Sequence, residues 1–227
     1  MGHFKNIPIL FQNNDILVVD KPFGISIHNA EEPENLMDVL TKEQKITKLY
    51  PVHRLDKETS GVQIFALNER SAKKYSETFQ SHTVKKFYIG ILRGRLNDST
   101  GVWKQKLTDK AEGRKNPAGL AQSRVSCETH YKVLEGSAFL TLCEFDLKTG
   151  RQHQIRKHAA LSKHHLVGDT RYGDKAYNQR ITDLYNISRM FLHCWKIQLE
   201  HHMFEATVPE EFKVLMNKSK KNKESQA

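Results

Sequence analysis

The stretch Pro51-Val-His-Arg-Leu-Asp-Lys-Glu-Thr-Ser-Gly61, PVHRLDKETSG, sets one carboxylate, Asp56, between a basic pair and a hydroxyl–glycine turn. Four chemistries ask for a carboxylate in such a place: a cap for nearby backbone amides, a metal ligand, one arm of a hydrolytic triad, or a nucleophile facing an anionic substrate. The residues around it have to separate these readings.

A metal ligand finds little support. There are twelve histidines, but no H-E-x-x-H. His153 and His158 are five apart, and His164-His165 and His201-His202 are adjacent pairs that point in different directions. No G-x-G-x-x-G follows a strand, no G-x-x-x-x-G-K-[ST] occurs, and Ser60 lies in TSG rather than in a G-x-S-x-G elbow. Cap and functional carboxylate both stay open for Asp56. Two features favour function: His53 and Arg54 put cationic groups that can meet phosphate on the same turn, and Arg156 in KTGRQHQIRKHA could pair with Asp56 and hold its charge. A single ionised Asp with no second carboxylate motif beside it suits covalent catalysis at an electrophilic carbon better than two-carboxylate hydrolysis.

Charge points to the substrate class. Thirty-six Lys and Arg against 26 Asp and Glu leave a net +10 over 227 residues, with a pI near 9.4, the electrostatic footprint of a nucleic-acid binder. Part of the excess sits in NKSKKNKESQA, expected to be a disordered basic tail over residues 217–227. No apolar run could span a bilayer, and MGHFKNIPIL lacks a signal-peptide core. Cys127, Cys143 and Cys194 form no C-x-x-C pair, so a reducing cytoplasm is the expected compartment.

Hydrophobic 38% and charged 27% describe an ordinary globular chain. A hairpin is expected around Asn13-Asn14-Asp15, and helices in ENLMDVLTKEQ, ERSAKKYSETFQSH, RQHQIRKHAALSK and EEFKVLMNK. Strands are expected in GVQIFALN, KKFYIGILRG, FLHCWKIQLEH and FEATVP, with a hairpin around Gly136-Ser137. Residues 107–124 read as an exposed polar loop. Strands outnumber helices without alternating with them, so the expected class is α+β, a mixed, largely antiparallel sheet flanked by helices with a central cleft, in one domain over residues 1–216. Tyr88, in the strand KKFYIGILRG, reads as core or as a base-stacking ring.

HRLDKETSG resembles the signature H-R-L-D-x-x-T-S-G of the RluA-type RNA pseudouridine synthases. ILVVDKPFGISIH looks like that family's K-P-x-G segment and KKFYIGILRG like its K-x-Y strand. TGRQHQIRKHAALSKHHLVGDTRYG looks like its T-G-R-x-H-Q-[IL]-R and G-D-x-x-Y-G segments, and RMFLHCWKIQLEH like its closing L-H strand. The motifs occur in the family's order over roughly residues 7 to 212. The resemblance implies an isomerase that breaks the N-glycosidic bond of a uridine in RNA, turns the base and rejoins it through carbon, with no cofactor or metal. Asp56 would be the nucleophile, attacking the ribose C1′ or the uracil ring. Tyr88 would stack on uracil and help move the C5 proton; Arg156 would ion-pair with Asp56, with Ile155 lining the pocket and Leu192 packing under the base. Arg54, with His53 beside it, would face the RNA and enter its stack in place of the flipped uridine.

Two departures stand out. His165 and His202 occupy positions where the family usually has Pro, which should alter local turns, and the chain begins directly at the catalytic core without an S4-like module. Substrate choice would then come from the core's basic surface and loops, residues 107–124 among them, acting as a monomer on a stem-loop. The motif details sit closer to the tRNA-modifying branch than to the large-subunit rRNA branch. The rivals are the same chemistry on rRNA, a silent RNA-binding protein of this fold, and a nucleoside glycosidase. Intact Asp56, Tyr88 and Arg156 argue against the silent binder, and the absence of paired carboxylates or metal ligands argues against the glycosidase.

Overall fold

A computed structural model describes residues 4–224. Ten strands and five α-helices are found among them, the α+β class with a mixed, largely antiparallel sheet that the sequence pattern predicts. Backbone contacts divide the chain into two compact units, Met1–Lys86 with His193–Thr207, and Phe87–Leu192 with Val208–Ala227.

In the first unit, β1 (Ile9–Gln12) and β2 (Ile16–Lys21) form the expected hairpin. Its turn is built by Asn13, whose side-chain oxygen accepts from the amides of Asp15 and Ile16, both at 2.8 Å. β4 (Ser60–Ala66) lies beside β2, carries the short β3 (Tyr50–Pro51), and is buried along its whole length. β9 (Leu192–Leu199) pairs with β4 in parallel at Ser60 and Gly61, and β10 (His202–Glu205) folds back on β9. His202 is the first residue of β10, two residues after the turn residue Glu200 at φ 53°.

Two capped helices flank this sheet. α1 (Leu36–Gln44) starts at Asn35, which accepts from the Asp38 amide and donates to the Asp38 carboxylate. α2 (Glu69–Gln80) starts at Asn68 and buries Tyr75 and Phe79. Leu17, Val19, Ile25, Leu36, Leu40 and Phe65 are the centre of the apolar core here.

The second unit is an antiparallel run, β5–β8–β7–β6. β5 (Lys85–Arg93) pairs with β8 (Leu140–Leu147), β8 with β7 (Thr129–Gly136), and β7 with β6 (Thr100–Trp103). α3 (Gln154–Leu161), α4 (Lys175–Tyr185) and α5 (Glu210–Glu224) complete it. Gly90 is required where β5 passes close to its neighbours, since a Cβ there would lie 2.9 Å from the Phe145 ring and 3.2 Å from the Phe191 carbonyl.

Three expectations change. α5 continues through Glu224, past residue 216, because Leu215, Met216 and Ser219 are buried and Lys220 pairs with Glu135 at 2.7 Å; residues 225–227 of the expected tail lie outside the described residues. α4 and β6 add elements that the sequence pattern does not announce. Segment 107–124 is not simply an exposed loop, because Leu107 and Ala118 are buried with Cys127 and Leu107 bridges to Val125. No helix among the described residues is long and apolar enough to cross a membrane.

Candidate active site

Asp56 sits in the loop between β3 and β4, at the head of a tight turn in which the Thr59 amide donates to the Asp56 carbonyl at 3.0 Å. The K-P-x-G segment braces that turn from beneath. The Gly24 amide donates to the Lys57 carbonyl at 2.9 Å, and the Lys21 ammonium, 0% exposed, donates to the carbonyls of Lys57 (3.1 Å) and Pro22 (2.9 Å). Gln63, also buried, clamps the other side: its oxygen accepts from the Leu55 amide at 3.2 Å and its nitrogen donates to the His53 carbonyl at 2.8 Å. Two motifs distant in sequence therefore hold one carboxylate-bearing turn.

The start of β4, just after the turn, is equally confined. Gly61 has φ +114°, and a Cβ there would lie 2.1 Å from the Cys194 carbonyl, so only glycine lets β4 approach β9. One residue earlier, the buried Ser60 hydroxyl meets Nδ1 of the buried His193 at 2.9 Å.

His53 and Arg54, neighbours in sequence, part ways. His53 belongs to the scaffold: its Nε2 accepts from the Ile64 amide at 3.0 Å, and its ring stacks on Phe79 with centroids 4.6 Å apart. Burial, with the Lys86 ammonium a smaller cause, lowers its pKa to about 3, so the ring is neutral near pH 7. The expectation of a second cation at this position is corrected, because an accepting ring nitrogen in a shielded site cannot also hold a proton. Arg54 is exposed and makes no ion pair among the described residues.

The other candidate residues lie in or at the edge of the second unit. Tyr88, 8% exposed, stands on β5 opposite Phe145. Leu192, 3% exposed, opens β9. Ile155 and Arg156 occupy the first turn of α3 and are 4% and 2% exposed. The loop before α3 is tied by Gln154, whose oxygen accepts from the Thr149 hydroxyl (2.7 Å) and the Arg151 amide (3.1 Å), while its nitrogen donates to the Glu128 carbonyl (3.0 Å) and the Thr129 hydroxyl (2.9 Å). A glutamine satisfies four groups here, which accounts for the T-G-R-x-H-Q spacing.

Arg156 has a partner that its own motif does not reveal. Its Nε donates to Asp169 Oδ2 at 2.9 Å and its Nη2 to Asp169 Oδ1 at 3.0 Å, a two-pronged ion pair with both side chains buried. Asp169 Oδ1 also accepts from the amides of Arg171 (2.9 Å) and Tyr172 (3.0 Å). Burial pushes the Asp169 carboxyl upward, but the Arg156 guanidinium and those two amides outweigh it and hold the pKa below its ordinary value. The Tyr172 ring lies under the guanidinium at 5.4 Å, and its hydroxyl meets His153 Nδ1 at 3.0 Å. A sequence signal does exist, since Asp169 is the acid of G-D-x-x-Y-G.

Chemically, the first unit offers a carboxylate on a braced turn with an exposed arginine beside it. The second offers a buried, oriented guanidinium, an aliphatic pair and a tyrosine. Among the described residues, no group of three or more His, Cys, Asp and Glu side chains is arranged to hold a metal ion.

Comparison with known proteins places these features. A family model described as RNA pseudouridylate synthase matches residues 15–161. A Haemophilus ducreyi protein named tRNA pseudouridine synthase C is 31% identical over 208 residues, 86% of each chain. A Pasteurella multocida protein named ribosomal large subunit pseudouridine synthase C is 31% identical over 199 residues, 85% of this chain and 60% of its own. The solved structure of human RNA pseudouridylate synthase domain containing 4 shares the fold, with a TM-score of 0.78 at 23% identity over 92% of both chains.

Proposed function

The chain belongs to the RluA-type family of RNA pseudouridylate synthases, an isomerase acting on RNA, and we propose that its substrate is a tRNA stem-loop with Asp56 as the nucleophile. The observation that carries the site assignment is the bracing of the Asp56 turn by Lys21, Gly24 and Gln63, which holds one carboxylate in a fixed place. In support of tRNA, two relatives matched along 86% of both chains are named tRNA pseudouridine synthase C. Those named for the large ribosomal subunit are matched along 60% to 69% of their length, although one further tRNA-named relative is matched along 57% of its own.

In this reading a uridine is flipped out of the RNA stack, because neither the glycosidic carbon nor the ring can be reached within it. Arg54, exposed on the same turn, fills the gap. The Asp56 carboxylate attacks either C1′ or the uracil ring, and both routes cleave the C1′–N1 bond. The base turns, C5 bonds to C1′ and the carboxylate is released; the C5 proton leaves with help from Tyr88, and N1, freed from C1′, takes up a proton, so that the product is an isomer of the substrate. Arg156, already oriented by Asp169, pairs with Asp56 and holds its charge, while Ile155 and Leu192 line the base. Both units, through α5, act as one catalytic domain, and a monomer suffices.

The test is Asp56→Asn, assayed by pseudouridine mapping on a tRNA transcript alongside RNA affinity. Product should vanish while affinity stays within about twofold, since phosphate contacts dominate binding. Substantial turnover by this variant would remove Asp56 from the nucleophile role.

A further inference from the structure

Segment 104–126, which joins β6 to β7, carries an asymmetric charge pattern that the catalytic reading does not use. Its acids are engaged within the second unit. Asp109 accepts from the Gln152 amide at 2.8 Å and lies 3.5 Å from the Arg151 guanidinium, and Glu112 accepts from the Thr108 hydroxyl at 2.6 Å. Of its bases, Lys104 pairs with Glu128 at 3.3 Å and Arg114 and Arg124 donate to the carbonyls of Thr170 and Gly119, whereas Lys106, Lys110 and Lys115 are exposed and make no ion pair among the described residues. What is left over is three exposed, uncompensated cations on a protein that works on a polyanion.

The same segment is tied down by two cations, the buried Lys157 on the catalytic helix and the exposed Arg171 in the loop that follows it. Lys157, the residue after Arg156 in α3, is 0% exposed, and its ammonium donates to the carbonyls of Thr108 (2.8 Å) and Lys110 (2.7 Å). Arg171 donates to the carbonyls of Glu112 (2.8 Å) and Ala111 (2.7 Å), while its own amide is bound to Asp169, the partner of Arg156. The apolar anchor of the segment is small, Leu107, Ala118 and Cys127 with Leu161 against them. Burying an ammonium is costly, and an aliphatic side chain would fill the same space at less expense. The ammonium is needed for its donors, which fix the backbone at Thr108 and Lys110.

We propose that segment 104–126 is a strap that binds the RNA backbone through Lys106, Lys110 and Lys115, and that Lys157 is the positioning residue holding this strap in register with Arg156. Phosphate contacts fix register without reading sequence, so the strap sets where the RNA lies relative to the catalytic helix. The proposal rests on the synthase reading above.

The experiment is steady-state kinetics on a full-length tRNA transcript. Lys106→Ala/Lys110→Ala/Lys115→Ala should raise KM about tenfold, leave kcat within about twofold, and reduce the slope of log affinity against log salt by about three. Lys157→Met should raise KM by a similar factor because the strap loses its register. Combining it with the triple variant should add less than about twofold, a non-additivity that separate structural damage would not produce. Lys157→Arg, which keeps donors, should restore KM to within about threefold. Asp109→Ala removes both contacts of an exposed carboxylate, with the Gln152 amide and the Arg151 guanidinium, and should raise KM about threefold; it replaces Lys157→Met in the cycle if that variant does not fold. Additive losses, or a triple variant with wild-type KM and salt slope, would overturn the strap. A wild-type protein that makes no pseudouridine in any RNA would instead remove the synthase reading.

Discussion

Replacing Asp169 by Asn tests the buried pair that orients Arg156. The substitution keeps volume and shape but turns one acceptor oxygen into a donor. Placed at Oδ2, the new amide faces the Nε–H of Arg156, now 2.9 Å away. Flipped to Oδ1, it faces three donors at once, Arg156 Nη2 and the amides of Arg171 and Tyr172. Neither orientation satisfies the site, and the guanidinium, 2% exposed, loses its ion pair with Asp169. Removing one partner of a buried ion pair costs about 3–5 kcal/mol; an isosteric amide retains some of the hydrogen bonding, so about 3 kcal/mol is expected. For a chain of this size that is a fall in Tm of roughly 6–12 °C. Activity should fall as well, through kcat more than KM, because the charge on Arg156 stays but its orientation does not. Thermal melts followed by circular dichroism read the first effect and tRNA turnover the second. The folded-state pKa of Asp169 lies below its ordinary value, so the stabilisation is complete above pH about 4 and is lost as pH falls through the folded pKa; the Asn variant should lack that acid limb. A Tm change below about 2 °C with unchanged kcat would refute the reasoning.

His53 supplies a second pH signature. Its folded pKa near 3 lies below the unfolded value of 6.5, so the unfolded chain binds more protons between those values and stability declines as pH drops through that window. Relative to His53→Gln, whose amide can still accept from Ile64, wild-type stability in urea should fall by about 1.4 kcal/mol per pH unit between pH 6 and pH 4. Parallel curves would place the ring's proton balance elsewhere. Arg54→Ala should slow reaction on folded tRNA about tenfold more than on a short unstacked oligonucleotide, as expected if the side chain fills the vacated stack; equal losses would exclude that role.

Much of this site is legible in the sequence because its parts are backbone-dictated. Asn13, Gly61 and Asp56 lie where turn chemistry and close strand approach leave few alternatives. Less legible are residues whose meaning depends on a distant partner. Lys21 reads as an ordinary exposed lysine until the Lys57 carbonyl is placed over it, and Gln63 reads as one alternating strand residue until the His53 loop folds back. His53 misleads for the opposite reason, since its motif position suggests a cation while Phe79 and Ile64 make it a neutral acceptor. α4 is hidden because only Ile181 is buried along it, too narrow an apolar stripe to produce a periodic signal. Segment 107–124 is polar enough to look unanchored, and the cation that anchors it, Lys157, lies on another element.

The most direct measurement is incubation of the purified protein with unmodified tRNA and, separately, with large-subunit rRNA transcripts, followed by carbodiimide-blocked primer extension to map pseudouridine. One new stop in tRNA, absent with Asp56→Asn, is the predicted result. A stop in rRNA alone would contradict the tRNA assignment, and tight RNA binding with no stop in either would contradict catalysis itself.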